Sequence, residues 1–149
     1  MYKKILVPHD NSEYSSRAAE KAIELAQLSG AKIVFVNSTV LPSLIYTFQE
    51  AANMAINEAV QELVAWSGDS ASKVLGDLVA LCKKKGVQAS FVHRVGDPAE
   101  VILRAAKAEG ADLIVMGSKG LSGLSKLRAL GSVTRKVCEH SRCPVLIVH

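Results

Sequence analysis

Five short apolar segments, separated by stretches with helical periodicity, constrain the fold of this chain more than any other feature. In order they read KILVP, AKIVFVNS, VQASFVHRV, ADLIVMG and CPVLIVH. Apolar runs of this length are typical of buried strands. Because a helix-length segment follows each of the first four, the pattern predicts the order β-α-β-α-β-α-β-α-β and a mostly parallel sheet with helices on both faces. The 149 residues are enough for one domain, residues 1–149.

The helix boundaries carry recognisable capping signals. The segment HDNSEYSSRAAEKAIELAQLSG offers Asn11 or Ser12 as N-cap and Gly30 as the stop. The segment GDPAEVILRAAKAEG offers Asp97 as N-cap, a proline at the first helical position, and Gly110 as the stop. We therefore predict one helix in each of these segments.

Residues 43–86 are mostly helical by pattern, but one short polar stretch interrupts the apolar spacing. The stretch is SGDS at 67–70, and apolar residues resume helical spacing after it. The pattern predicts either one broken helix or two helices, and it does not choose between them.

Charge is distributed unevenly, and the carboxyl-terminal half is basic. Residues 76–149 carry 12 Lys or Arg against 6 Asp or Glu, and the whole chain has a net charge of +4. A basic field favours an anionic partner. Aromatic residues make up only 5% of the chain, and none lies between Lys119 and His149. Base-stacking modes of nucleic-acid binding lack their usual platform, so a phosphate on a small molecule is favoured.

Cysteine usage and hydropathy indicate the compartment. Three cysteines without a CxxC pair fit a reducing environment. Cys138, His140 and Cys143 lie close in sequence, but a structural zinc site needs a fourth ligand, so we expect no metal. No apolar run approaches the ~18 residues of a membrane helix, and the lysine-containing start MYKKILVP is too short in apolar residues for a secretory signal. We expect a cytoplasmic protein that is not associated with a membrane.

The segment MGSKGLSGLSKLRALGSVT, which follows the fourth predicted strand, is the strongest candidate for a ligand loop. In a sheet of this kind ligands bind beyond the carboxyl ends of the strands, where the strand order reverses. Gly117 is suited to a sharp turn off the strand, and Gly120 allows a backbone N–H to approach an anion. Gly131 and Ser132 stand at the start of a short helix, Ser132 to His140, whose free N–H groups favour phosphate.

Side chains in the same segment add to this interpretation. Ser132 and Thr134 supply hydroxyl groups, and Lys119, Lys126 and Arg128 supply positive charge. The segment fits neither a Walker A loop nor GxGxxG. Local chemistry leaves two interpretations open, a phosphate-binding loop and a plain glycine-rich loop with a capping serine.

The chain resembles the universal stress protein family over its whole length. The matching segments are YKKILVPHDNSEYS, VGDPAEVIL, ADLIVMGSKGLSGL and LGSVTRKVCEHSRCPVLIV, in that order. The resemblance implies an open α/β fold with a five-stranded parallel sheet in the order 3-2-1-4-5 and helices on both faces, which is Rossmann-like and similar to the adenine nucleotide alpha hydrolases.

One branch of that family binds ATP through the motif Gly-x2-Gly-x9-Gly-Ser/Thr. Gly117 and Gly120 match its start, and Gly131-Ser132 match its end. The spacer, Leu121 to Leu130, has ten residues instead of nine. This departure places the phosphate geometry in question, because a displaced N–H loses a directional bond.

The resemblance also implies roles for single residues. Asp10 corresponds to an acid near the ribose and adenine, Ser38 to a backbone contact with adenine, and His9 replaces a small hydroxyl residue. Asn37 replaces a common His. The alternative for Asp10 is a helix N-cap or a partner for a lysine. The complete set implied for nucleotide binding is Pro8, His9, Asp10, Ser38, Met116, Gly117, Ser118, Lys119, Gly120, Gly131, Ser132, Val133 and Thr134.

The sequence contains no convincing catalytic pair. Cys138 and His140 are two positions apart on a helix and point to different sides, and Asp10 lacks a defensible second carboxylate. Three hypotheses follow: a regulatory module that binds ATP, with or without Mg²⁺; a member of the same family that acts through dimerisation without nucleotide; and an enzyme of adenylate chemistry. We favour binding with slow or no turnover.

The last strand, two tyrosines and two histidines have interpretations other than nucleotide binding. The last strand is apolar and exposed to pairing if it lies at a sheet edge, and the resemblance implies a homodimer through Val145, Leu146, Ile147 and Val148. Tyr14 and Tyr46 are candidates to flank a pocket, although packing is the simpler expectation. His93 and His149 are interpreted as plain strand residues.

Overall fold

In the part of the chain that the structure describes, strands and helices alternate along the sequence. The structure is a computed structural model that describes residues 1–41, 54–121 and 129–149, with residues 54–56 described by their backbone only. The strands are β1 (Lys4–Pro8), β2 (Lys32–Thr39), β3 (Ala89–Val95), β4 (Leu113–Gly117) and β5 (Val145–Val148). The helices are α1 (Glu13–Ser29), α2 (Met54–Lys84), α3 (Pro98–Glu109) and α4 (Ser132–His140).

The sheet is parallel throughout and has the order β3-β2-β1-β4-β5. At the centre, Leu6 of β1 is in register with Val34 of β2 and Ile114 of β4. This confirms the predicted α/β fold and its strand order. The order reverses between β1 and β4, so the crevice beyond their carboxyl ends is the expected ligand position.

Two apolar layers hold the helices against the sheet. Ile5, Phe35 and Val115 belong to the layer that α1 and α2 cover, whereas Leu6 and Ile114 belong to the layer that α3 and α4 cover. Alternate residues of one strand thus enter opposite layers, as the period of two requires. Each central strand is therefore buried on both sides.

The predicted caps are confirmed. The Ser12 side chain accepts the backbone N–H of Ser15, and Gly30 ends α1 with φ 72°. The Asp97 side chain accepts the N–H of Glu100 at the start of α3, and Gly110 ends that helix with φ 64°. Ser12, not Asn11, is the N-cap of α1.

The polar stretch at 67–70 does not break its helix. α2 runs without interruption over 31 residues, and the Ser67 hydroxyl donates to the carbonyl of Val64 at 2.8 Å. Ala71, Leu75 and Cys82 bury one side of α2. Packing of this face outweighs the cost of about 1 kcal/mol for a helical glycine. The expectation of a break at SGDS is therefore wrong, whereas residues 43–53, with Tyr46, lie outside the described residues.

Strand ends differ from the predicted segments by up to two residues. β3 begins at Ala89 and β4 at Leu113, each two residues later than the apolar pattern suggests. Apolar residues beyond the ladder are still buried, as Val87 shows. Among the described residues, no helix has the length and apolar character needed to cross a membrane.

Candidate functional site

A cavity of about 550 Å³ opens beyond the carboxyl ends of β1, β2 and β4. This volume is in the range of pockets for small molecules. Of the thirteen residues implied for nucleotide binding, all except Ser118 line it. The strand ends and the start of α4 thus bring together residues that are more than a hundred positions apart in sequence.

Several apolar lining residues were not foreseen. Val36 and Val40 come from β2 and the residues after it, and Pro98 and Ile102 come from the first turns of α3. A sequence signal for Pro98 and Ile102 was present, because the Gly96-Asp97-Pro98 turn predicts that α3 starts at the same edge of the sheet. Together with Met116 these residues add apolar surface to the cavity.

Ser118 faces away from the cavity. It is 1% exposed, and its Oγ has no hydrogen-bond partner in the described part of the chain. Its backbone is engaged on both sides: the N–H donates to Val148 at 2.8 Å, and the carbonyl accepts the N–H of Gly131 at 2.8 Å. Ser118 therefore joins the start of the glycine-rich segment to β5 and to α4.

Gly117 has a packing role rather than the turn role that we expected. Its φ is not in the left-handed region, and it is the last residue of β4. A Cβ at this position would lie 2.7 Å from the Cβ of Tyr14 and 2.8 Å from its backbone carbonyl carbon. The absent side chain lets α1 approach the end of β4. Tyr14 itself does not appear among the residues that line the cavity.

Gly120 leaves space for an anion beside its backbone, and in this structure the carboxylate of Asp10 lies in that space. A Cβ on Gly120 would lie 2.7 Å from Asp10 Oδ2. That oxygen accepts the backbone N–H of Leu121 at 3.2 Å, and Oδ1 accepts the N–H of Ser12 at 3.0 Å. Asp10 therefore bridges the loop after β1 and the loop after β4, which neither alternative for this residue anticipated.

The amino terminus of α4 faces the cavity. Gly131 is its N-cap and has no side-chain capping bond, and the next three residues form the first turn. An α-helix gives the N–H groups of its first turn no intrahelical acceptor, and its dipole places positive charge there. The Thr134 hydroxyl donates to the carbonyl of Gly117 at 2.9 Å, so its proton is used inside the protein. Lys119 lines the same region.

Gly131 lies where the start of α4 meets the loop after β4. A Cβ there would meet Lys119 Cα at 3.4 Å and the Ser118 carbonyl oxygen at 3.5 Å, which is ordinary contact. The space around Gly131 therefore limits side chains that extend beyond a Cβ, such as valine. The local sequence pattern offered Lys126 and Arg128 as further positive charge for this segment, and both residues lie outside the described part of the chain.

His9 is a buried imidazole that lines the cavity. It is 6% exposed, and burial lowers its pKa, an effect that the nearby Asp10 carboxylate partly offsets. Its Nδ1 accepts the N–H of Asn11 at 3.4 Å. Asn11 has φ 66°, a left-handed conformation that asparagine tolerates. Because Nδ1 accepts, the neutral ring carries its proton on Nε2.

Two residues behind the cavity wall are joined to this site. The Asn37 amide donates to the carbonyl of His9 at 2.8 Å, and its Oδ1 lies 2.9 Å from Nδ1 of His93. We had interpreted His93 as a plain strand residue. The parallel register that pairs Asn37 with His93 is the signal that connects them, and it is known only once β2 and β3 are aligned.

The cysteine segment has no geometry of a metal site. All three cysteines are free thiols, and the described residues contain no group of three or more His, Cys, Asp or Glu that could hold a metal. Nδ1 of His140 lies 2.8 Å from the carbonyl of Lys136, and Cys143 Sγ lies 3.6 Å from the Ser141 hydroxyl.

Comparison with known proteins agrees with the fold. A family model described as the universal stress protein family matches residues 1–149. The chain is 35% identical over 156 aligned positions to universal stress protein YxiE of Bacillus subtilis, covering 99% of each protein. It is 30% identical to the solved structure of MJ0577 from Methanocaldococcus jannaschii, with a TM-score of 0.81 over 99% of this chain and 96% of that one.

A further solved structure is similar over nearly its whole length. It is a universal stress protein in complex with cAMP, 30% identical, with a TM-score of 0.65 over 99% of this chain and 97% of that chain. The sheet order and the cavity define a doubly wound α/β protein with a ligand-sized space at its switch point. The chain belongs to the universal stress protein family.

Proposed function

We propose that this protein is a regulatory module that binds an adenine nucleotide, ATP in the first place, in the cavity between the ends of β1 and β4. The carrying observation is that one cavity is lined both by apolar side chains and by the amino terminus of a helix. Val36, Ile102 and Met116 are among its apolar residues, and Gly131 and Ser132 bring the start of α4 to it. A flat base with an anionic tail has the matching distribution of polarity. The 30%-identical relative in complex with cAMP supports this ligand class.

In this proposal the phosphates lie at the start of α4. The first-turn N–H groups after Gly131 are donors for phosphate oxygens, and the Ser132 hydroxyl and Lys119 line the same end. Mg²⁺, where present, would accompany the phosphates, with Ser132 and Asp10 as candidate oxygen ligands. The base lies between the turn at Pro8–His9 and Ser38, against Val36 and Ile102. Met116 and Val133 add apolar contact.

Asp10 gives the module a means of responding to the nucleotide. Its Oδ2 accepts the N–H of Leu121 in this structure. A ribose hydroxyl that donates to Asp10 competes for the same oxygen, so binding changes the loop that begins at Gly120. The N–H of Ser118, two residues earlier, is bonded to Val148 of β5. A change in this loop therefore reaches the edge strand.

We propose that this edge strand forms a homodimer. Among the described strands β5 pairs with β4 alone, and Leu146 is 38% exposed. An exposed edge strand presents unpaired backbone groups to a second copy. We place this single-domain protein in the cytoplasm, which suits its free cysteines, and we expect slow or no ATP hydrolysis.

The test is direct detection of the ligand. Purified protein is denatured and its supernatant is analysed by anion-exchange chromatography, and ATP is then titrated by calorimetry with and without Mg²⁺. We expect bound adenylate or measurable heat in the wild type, and loss of both in Gly131→Val and Asp10→Ala. Gly76→Ala is the control, because a Cβ at this helical glycine meets nothing within 4 Å.

An empty protein that gives no heat at millimolar ATP contradicts the proposal. The glycines then serve packing and capping alone, and dimerisation without nucleotide becomes the function to test.

A further inference from the structure

A chain of polar contacts runs behind the cavity wall from β1 to β3. The carbonyl of His9 accepts the Asn37 amide at 2.8 Å, and Asn37 Oδ1 faces His93 Nδ1 at 2.9 Å. Nε2 of His93 lies 3.5 Å from the Thr39 hydroxyl. Each contact joins residues at the carboxyl ends of neighbouring strands.

The chemistry of the amide fixes the direction of these bonds. Nδ2 of Asn37 is a donor to the His9 carbonyl, so the atom facing His93 is Oδ1, which can only accept. Nδ1 of His93 must therefore carry a proton. In the neutral ring Nε2 is then an acceptor, and the Thr39 hydroxyl can donate to it. The Nδ1–H tautomer of His93 satisfies every contact in the chain.

The position of Asn37 gives this chain influence over the cavity. Asn37 lies between Val36 and Ser38, and Ser38 and Val36 line the cavity whereas Asn37 does not. Successive side chains of a strand point to opposite faces, so Asn37 and His93 stand on the α2 side. There a Cβ on Gly68 of α2 would lie 3.7 Å from His93 Cδ2. The imidazole is thus held between the sheet and a helix.

Through His9, the same series of hydrogen bonds also holds the turn after β1, on the other side of the proposed position of the base. His9 donates its N–H to Val36 at 2.9 Å and accepts from Asn37. The ends of β1 and β2 are thereby joined by a backbone bond and a side-chain bond. Pro8 and Ser38, on either side of this junction, both line the cavity.

We propose that Asn37 and His93 are positioning residues that set the spacing between the ends of β1 and β2 and thereby select the base of the nucleotide. This inference rests on the proposed function. Neither side chain touches the ligand. They hold the backbone groups near Pro8, His9 and Ser38 at the separation that one purine edge requires, and hydrogen bonds to a base edge weaken steeply when misaligned.

The test measures selectivity rather than affinity alone. Affinities for ATP and GTP are determined by calorimetry for the wild type, Asn37→Leu and His93→Leu. We expect the wild type to prefer ATP and each variant to lose about tenfold of that preference, the effect of one hydrogen bond. General damage to the fold weakens both nucleotides equally and leaves the ratio unchanged. His93→Gln, which keeps a donor, is expected to recover part of the ratio, and His149→Leu is the control.

The second measurement uses the protein without ligand. Long-range ¹H–¹⁵N NMR spectra distinguish the two neutral tautomers of histidine, and we expect His93 in the Nδ1–H form, changing to a mixture in Asn37→Leu. An Nε2–H tautomer in the wild type overturns the inference. So does a ratio of ATP affinity to GTP affinity that stays, in both leucine variants, within twofold of the wild-type ratio.

Failure of the proposed function looks different. The wild type then gives no heat with either nucleotide, while His93 still shows the Nδ1–H tautomer. That outcome removes the base site and the selecting role of Asn37 and His93 with it.

Discussion

The Oδ2 atom of Asp10 occupies the space where a side chain at Gly120 would begin: a Cβ built on Gly120 lies 2.7 Å from that oxygen. The same oxygen accepts the backbone N–H of Leu121 at 3.2 Å. The two loops that carry the candidate site are therefore joined by a carboxylate, and the joint depends on the glycine.

Gly120→Ala is expected to break the hydrogen bond between Leu121 and Asp10, with a modest decrease in the free energy of unfolding. The new Cβ pushes away the end of a flexible side chain, so the backbone stays in place. The lost bond to a charged acceptor is worth about 1.5–3 kcal/mol, less what solvent recovers. Urea unfolding measures the loss. In an Asp10→Ala background the same substitution should cost almost nothing, because coupled residues are not additive. Equal costs in both backgrounds contradict the contact.

Gly117→Ala is expected to be more damaging than Gly120→Ala. Here the Cβ meets the Cβ of Tyr14 at 2.7 Å and its backbone at 2.8 Å. Backbone atoms inside a helix do not rotate away, so α1 must shift against β4. Overpacking of this kind costs about 1–3 kcal/mol or more. Thermal unfolding should rank the variants Gly117→Ala, Gly120→Ala and Gly76→Ala from least to most stable, and a stable Gly117→Ala would refute the close approach.

Ser118 and Thr134 offer a matched pair of hydroxyl deletions. The Ser118 hydroxyl is buried without a partner among the described residues, whereas that of Thr134 donates to Gly117. We expect Ser118→Ala to be neutral or stabilising by about 1 kcal/mol, because a buried unpaired hydroxyl is costly, and Thr134→Val to destabilise by about 1 kcal/mol. Chemical denaturation of both variants decides the point. A clear loss in Ser118→Ala would mean that its hydroxyl has a partner.

Stability should fall as the solution becomes mildly acidic. Burial lowers the pKa of His9 in the folded protein, whereas an unfolded histidine titrates near about 6.5. Between these values the unfolded chain binds more protons, so the free energy of unfolding decreases as pH falls below about 6.5. Urea midpoints at several pH values test this. His9→Gln should flatten the decrease, and the exposed His149→Gln should not. An unchanged slope in His9→Gln contradicts the prediction.

Leu146→Asp is expected to yield monomers. Leu146 lies on the edge strand β5 and is 38% exposed. A charge in the middle of a strand-to-strand interface is desolvated without a partner. Light scattering measures the mass. Leu28→Asp is the control, because Leu28 on α1 is 82% exposed and far more accessible already. If Leu146→Asp has the same dimer mass as the wild type, the proposed interface is wrong.

Local signals in the sequence were sufficient for the described elements. Ser12, Gly30, Asp97 and Gly110 mark helix ends where the structure has them. Gly117, Gly120 and Gly131 lie at the edge of the sheet where the sequence predicted them, because parallel strands separated by helices bring their carboxyl ends to one side. Each of these capping signals depends only on residues within a few positions of the helix end, so the sequence alone contains it.

Local signals failed where packing outweighed propensity. Ser67 and Gly68 interrupt the apolar pattern, yet α2 continues through them because Ala71 and Leu75 bury its inner face. The cost of a polar residue or a glycine in a helix is about 1 kcal/mol or less. Burial of one large apolar side chain outweighs it.

The sequence by itself determined the order of the described strands and helices along the chain and the helix caps. Only the tertiary structure decided what the glycines are for: Gly117 makes room for Tyr14, and Gly120 makes room for Asp10. It also decided that Asn37 bonds to His9 and His93. The physical reason is the same in each case. A glycine in a sequence shows that a side chain is missing, but the atoms that fill its space come from residues as distant as Asp10 is from Gly120, 110 positions away, and only packing of the helices against the sheet brings them there.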